Sequence, residues 1–288
     1  MTNPTELLHQ RYGTSAFDLD IDNVNAAPGG STSENVDWNG CLTTLLSHRS
    51  IRAYLPKPLP PGTLELMVAA AQSAATSSNL QTWSVVAVVE AERKEKLSHL
   101  AGNQAHIRQC PLFLVWLADL ARLTHVAVGR GLSHNGLDYL EMFVMATVDA
   151  ALAAQNAATA AESLGLGIVY IGAMRNHPEE VAALLGLPPR VFAVFGMCVG
   201  YPDPANVAAV KPRLPQPAVL HHETYHLASQ DEAITDYNEV MKTFYAEQQM
   251  NVSGDWSEHS AKRVASPESL SGRDRLREAL LHLGFELR

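Results

Sequence analysis

The chain has 288 residues, 47% hydrophobic and 18% charged, the balance of a globular protein rather than a disordered or fibrous one. That length buries a sizeable core in one large domain or two ordinary ones. A net charge of -9 excludes a general nucleic-acid binder, which needs a basic field, and directs any local basic cluster toward a small anion.

The three cysteines, Cys41, Cys110 and Cys198, are odd in number and far apart, with no CxxC pair. This argues against a thiolate zinc site or a disulfide framework and for a reducing cytoplasm. Glu6, Asp18, Asp20 and Asp22 give the N-terminal stretch no basic-then-apolar signal pattern. Residues 1–39 read as a flexible N-terminal extension, with 28–33 as its linker-like run of Pro, Gly, Ser and Thr.

From residue 40 the pattern sharpens. Residues 41–47 read as a short helix, and Pro56, Pro58, Pro60 and Pro61 then enforce an extended turn. Leu64, Met67, Val68 and Ala71 recur at helical spacing over 63–75, and the polar run 76–79 breaks that helix. Valine-rich 83–89 reads as a buried strand, 90–100 as an exposed helix and 110–117 as a second core strand.

Residues 137–164 form the longest helical pattern, rich in alanines that favour helix and allow close approach. Between 142 and 161 its only charge is Asp149. Alanine together with Gln155 and Asn156 makes that run a poor membrane span, so a buried central helix and no membrane protein are expected. Strands at 168–171 and 190–199 flank a helix at 178–185, and helices follow at 231–248 and 270–283. Strands alternating with helices predict an α/β or α+β sheet domain.

The chemistry concentrates first in Ser47, His48, Arg49, Ser50, Ile51 and Arg52. Arginine suits phosphate because its planar fork donates paired hydrogen bonds and keeps its charge. On its own, the spacing also suits a solvated helix end, where cations favour the macrodipole. Lys211-Pro212-Arg213 is a second basic cluster, rigidified by proline. His222-Glu223-Thr224-Tyr225-His226 completes an HExxH string, the alternative of a zinc hydrolase, but that motif needs a helix and Pro215 and Pro217 lie just upstream. Gly165-Leu166-Gly167 follows a helix and precedes a strand, the reverse of a dinucleotide-binding turn. No P-loop or GxSxG elbow appears.

Taken in order, His48-Arg49-Ser50-Ile51-Arg52, Ser77-Ser78-Asn79-Leu80-Gln81 and the run 161–167 resemble the nitroreductase family of FMN enzymes. The match continues through Tyr170-Ile171-Gly172, Arg175-Asn176, Phe195-Gly196, Gly200 and Lys211-Pro212-Arg213. It looks most like the branch of NADPH nitroreductases and flavin reductases, and covers 40–288 as one FMN-binding domain.

The resemblance implies an α+β fold, a mixed β-sheet flanked by helices, with the long central helix in a homodimer interface. It implies FMN held at the phosphate and ribityl end by His48, Arg49, Ser50, Arg52, Lys211 and Arg213. Thr76, Ser77 and Gln104 would contact the flavin, and Tyr170, Ile171, Gly172 and Ala173 would lie along its ring. The implied activity is ping-pong hydride transfer from NAD(P)H to FMN and on to a nitroaromatic, quinone or flavin acceptor, with no side-chain nucleophile. In the NADPH-using branch, basic side chains of a late loop receive the 2′-phosphate. Residues 246–254 contain no Lys or Arg, with Lys262 and Arg263 as candidate substitutes, which counts against an NADPH preference and makes NADH the alternative donor. A flavin-binding protein without efficient turnover is the alternative from another class.

Overall fold

The computed structural model describes residues 4–13 and 38–288, so the linker reading of 28–33 falls outside the described residues. The chain divides into two compact units. One joins the described residues up to Arg49 to Ala208–Ser269; the other comprises Ser50–Val207 and Leu270–Arg288.

The second unit is built on four strands, β1 (Trp83–Val88), β2 (Leu112–Asp119), β3 (Gly167–Ile171) and β4 (Val191–Gly200), in the order β1-β2-β4-β3. The α+β class and all four expected strands are present. The expectation of a mixed sheet is corrected: β1–β2, β2–β4 and β3–β4 all pair antiparallel. Each connection between neighbours therefore returns the chain at the end of the sheet where it left, whatever helices it contains. The parallel pairing found is the isolated bridge Ser50–Ile168, at the outer edge of β3.

Every residue of β2 is buried, as a central strand covered on both faces requires. Leu112, Leu114 and Trp116 share a cluster with Met197 and Val199 of β4. Against them lies the 24-residue helix Leu140–Ser163. Its alanines at 153, 154, 157, 158 and 161 recur at one helical face, and their short side chains let the backbone approach the sheet. Met67 and Ala71 of helix Thr63–Gln72 close the same cluster. Further along, Ala146 and Ala150 join Phe192, Leu280 and Phe285, so the C-terminal residues belong to this core. No helix among the described residues is long and apolar enough to cross a membrane.

In the first unit, Pro4–Tyr12 forms a helix, α1, with Leu7, Leu8 and Arg11 buried, inside the stretch read as an extension. Three buried positions in a nine-residue helix are too few to stand out as periodicity. It packs on α2, Gly40–Leu46, whose N-terminus is capped by the Asn39 side chain. Helix Asp231–Glu247 buries Tyr237, Met241, Phe244 and Tyr245 at helical spacing against Leu214, Val252 and Trp256.

Candidate functional site

The predicted site residues fall into groups held by different devices. In the first unit, α2 ends at Leu46, and His48 follows half-buried while Arg49 is exposed. The Arg11 guanidinium donates to the carbonyls of Leu46 (2.8 Å), His48 (2.6 Å) and Lys211 (2.9 Å). The Arg11 carbonyl accepts the Arg213 N–H at 2.8 Å, and the Tyr237 hydroxyl donates to the Pro212 carbonyl at 2.9 Å. Two basic segments more than 150 residues apart in sequence are thereby fastened together through their main chains. The side chains of Arg49, Lys211 and Arg213 remain exposed. Arg213 folds back onto the carbonyls of Lys211 and Pro212.

In the second unit, Ser50 bridges Ile168 and the Ile51 N–H donates to the Ile168 carbonyl at 2.9 Å. Gly167 makes this possible, because a Cβ there would stand 2.5 Å from the Ile51 side chain. Arg52 is exposed, and its charge adds to burial in lowering the pKa of His106, burial being the larger cause. The buried Nε2 of His106 has no hydrogen-bond partner.

Thr76 and Ser77 sit in a loop anchored on Asp149, which is 2% exposed on the long helix. The Asp149 carboxylate accepts from Thr76 Oγ1 at 2.6 Å, Thr82 Oγ1 at 2.9 Å, Thr82 N at 3.0 Å and Ser77 N at 3.4 Å. A buried carboxylate requires such a donor set. The loop needs the anchor: Ser78, Asn79 and Gln81 adopt φ of 50°, 56° and 53°, a conformation costing about 1 kcal/mol or more per non-glycine residue. Thr76 and Ser77 line a groove of about 430 Å³ with Val144, Met145, Val148 and Leu152.

Tyr170, Ile171, Gly172 and Ala173 run from the end of β3 into a short 3-10 turn, Gly172–Arg175. Tyr170 stacks edge-on against Phe195 at 5.2 Å, and its hydroxyl reaches Gln155 at 3.5 Å. Burial, with the Glu162 charge second, pushes the Tyr170 phenol well above its ordinary pKa, so it stays protonated. The Arg175 guanidinium donates to the Val194 carbonyl and lies against Gly172, where a Cβ would meet it at 3.3 Å. Burial followed by the nearby Arg273 charge lowers the Arg175 pKa. Gln104 is held within its own loop, donating to the Ala101 carbonyl at 3.0 Å while its carbonyl accepts from Ser98.

The HExxH string does not form a helix, so His222 and His226 do not share a helical face. Thr224 Oγ1 and His226 Nε2 instead bond to each other at 2.8 Å. Among the described residues no group of three His, Cys, Asp or Glu side chains is placed to hold a metal. Of the late cations, Lys262 pairs with Glu258 at 2.5 Å and Arg263 donates to the Ser269 carbonyl.

Residues 45–201 match the nitroreductase family, and residues 211–288 match the nitroreductase family C-terminal domain. The chain belongs to the nitroreductase family. It is 41% identical over 213 residues to an FMN reductase (NADPH) of Bacillus subtilis, a match covering 73% of this chain and 84% of that one. It is 36% identical over 228 residues to the NADPH-flavin oxidoreductase of Vibrio harveyi, covering 79% and 92%. Among solved structures, the hypothetical oxidoreductase YcnD of B. subtilis superposes with a TM-score of 0.82 at 37% identity, covering 87% of this chain and all of that one. The Vibrio harveyi NADPH:FMN oxidoreductase complexed with NAD+ gives 0.75 at 34% identity, again over 87% and all.

Each unit carries donors whose chemistry suits one part of FMN. Several exposed cations whose main chains are fixed suit a dianionic phosphate, and a serine-threonine loop beside an apolar groove suits one edge of a flavin. Sequence reading did not find Arg11, Asp149, Thr82 or Arg175 as contributors. Asp149 left a signal, as the single charge between 142 and 161, and Arg175 lay within a run that resembles the family.

Replacing Asp149 by asparagine turns a donor into the Thr76–Thr82 hydroxyl and amide cluster. The Asp149→Asn variant is expected to lose about 1–3 kcal/mol of stability and to speed amide exchange at Ser77 and Thr82. Denaturant unfolding with hydrogen exchange reads both; unchanged exchange at those two amides contradicts the anchoring role.

Proposed function

We propose that this chain is an FMN-dependent NAD(P)H oxidoreductase in which two cationic segments take the flavin phosphate and the 76–77 loop and 170–173 border the ring. The observation that supports the reading is the main-chain fastening of 46–48 to 211–213, segments that carry or adjoin the exposed cations Arg49, Lys211 and Arg213. When bound, FMN would supply the redox chemistry, namely hydride acceptance from NAD(P)H and electron delivery to a nitroaromatic, quinone or flavin acceptor in a ping-pong sequence.

The protein's part is binding and orientation. His48, Arg49, Lys211 and Arg213, with Ser50 and Arg52, neutralise and grip the phosphate and ribityl end. Thr76 and Ser77, pinned by Asp149, and Gln104 offer polar contacts to the flavin. Gly172 and Ala173 offer backbone N–H groups to the ring, and the protonated Tyr170 offers a donor rather than a negative charge. Fixed positive charge and N–H donors favour the reduced, electron-rich cofactor.

The functional form is a homodimer with the long helix in its interface. Leu140, Val144, Val148 and Leu152 repeat every fourth residue on the face opposite the buried alanines, and are 50%, 48%, 50% and 42% exposed. Such a stripe on one helix suits a second copy of the same chain, and the groove lined by Thr76 and Ser77 is continuous with it.

Two outcomes test this reading. The double variant Arg49→Ala, Arg213→Ala is expected to weaken FMN binding at least about 100-fold, from roughly 1.5–3 kcal/mol per charged hydrogen-bonding group removed. Unchanged affinity in equilibrium dialysis overturns the phosphate assignment. Val148→Glu is expected to convert the dimer to monomer in sedimentation velocity, with loss of bound FMN; an intact dimer places the interface elsewhere.

A further inference from the structure

Helix α1 lies outside both stretches that match the nitroreductase family, yet Arg11 on it contacts the main chain of both basic segments. We propose that Arg11 is a positioning residue for phosphate recognition: it sets the separation of Arg49 from Lys211 and Arg213 without itself binding the anion. The proposal rests on the phosphate role assigned above to those three cations.

The geometry is specific. Arg11 is 4% exposed, and its fork spends one nitrogen on Lys211 and the other on Leu46 and His48. Its own carbonyl takes the Arg213 N–H. One residue thus makes two main-chain bonds to segment 46–48 and two to segment 211–213. Two of these bonds fall on Lys211 and Arg213 themselves, and the other two act one and three residues before Arg49. Like charges brought together repel, so the cluster would spread unless its backbones were held. A guanidinium suits this task, because its donors diverge in a fixed plane and it never deprotonates. Pointed at carbonyls, Arg11 adds positive potential behind the site while leaving the contacting side chains to Arg49, Lys211 and Arg213.

The discriminating readout is the preference for FMN over riboflavin, which differ by the phosphate alone. Dissociation constants for both are measured on the full chain, with Arg11→Met, Arg11→Lys and the Arg49→Ala, Arg213→Ala double variant in parallel. Arg11→Met is expected to reduce the FMN preference about 10-fold or more with riboflavin affinity unchanged, and Arg11→Lys to fall between it and the natural protein. Equal weakening of both ligands would mean a general structural role and overturns the proposal, as does an unchanged preference. If Arg11→Met does not fold, Arg11→Lys decides by the same criterion. Loss of preference in the double variant but not in either Arg11 variant removes the role of Arg11 alone. No loss in the double variant removes the phosphate assignment, and the proposal with it.

Discussion

Asp149 is a full charge taken out of water, the one charged residue between 142 and 161 of an alanine-rich helix, and its neighbours are arranged to satisfy it. Two threonine hydroxyls and two backbone N–H groups converge on one carboxylate. Those donors come from the loop that follows helix Thr63–Gln72 and from the residue that leads into β1. The carboxylate therefore fixes the loop to the long helix and sets where β1 enters the sheet. The left-handed backbone at Ser78, Asn79 and Gln81 persists because this anchor outweighs its strain.

The long helix consequently has three functions along one rod. Its alanine face sits close on the sheet, its aspartate fixes a polar loop, and its outer stripe of Leu140, Val144, Val148 and Leu152 stays exposed. The first unit solves a different problem by the same chemistry in reverse. There a buried cation, Arg11, is satisfied by carbonyl oxygens and fastens two basic segments together. In both cases a buried charge organises the main chain around it.

The sheet was legible because 83–89 is a valine-rich run and 190–199 is an apolar run between Pro188-Pro189 and Gly200-Tyr201-Pro202. The long helix was legible from alanine content and from Gly165 at its end. Strand direction was not: the resemblance implied a mixed sheet, whereas all three pairings are antiparallel, and direction depends on which end of the sheet each connection returns to. His48, Arg49, Lys211 and Arg213 were readable as candidates for an anion site because their chemistry is local to each short run. Arg11 and Asp149 were not, because their roles arise from partners up to 200 residues away. A lone arginine in a short amphipathic stretch carries no mark of the carbonyls it will meet. The HExxH string shows the opposite failure: correct spacing without the helix that gives the spacing meaning.

Oxidoreductase activity of this kind requires a flavin that cycles between two redox states on this chain. An anaerobic visible titration of the FMN-loaded protein with NADPH and NADH separately tests it most directly. The prediction is a yellow protein that bleaches with at least one nicotinamide and regains its colour when a quinone or nitroaromatic is added. A chain that takes up no FMN, or that holds FMN unbleached by either donor, would contradict it.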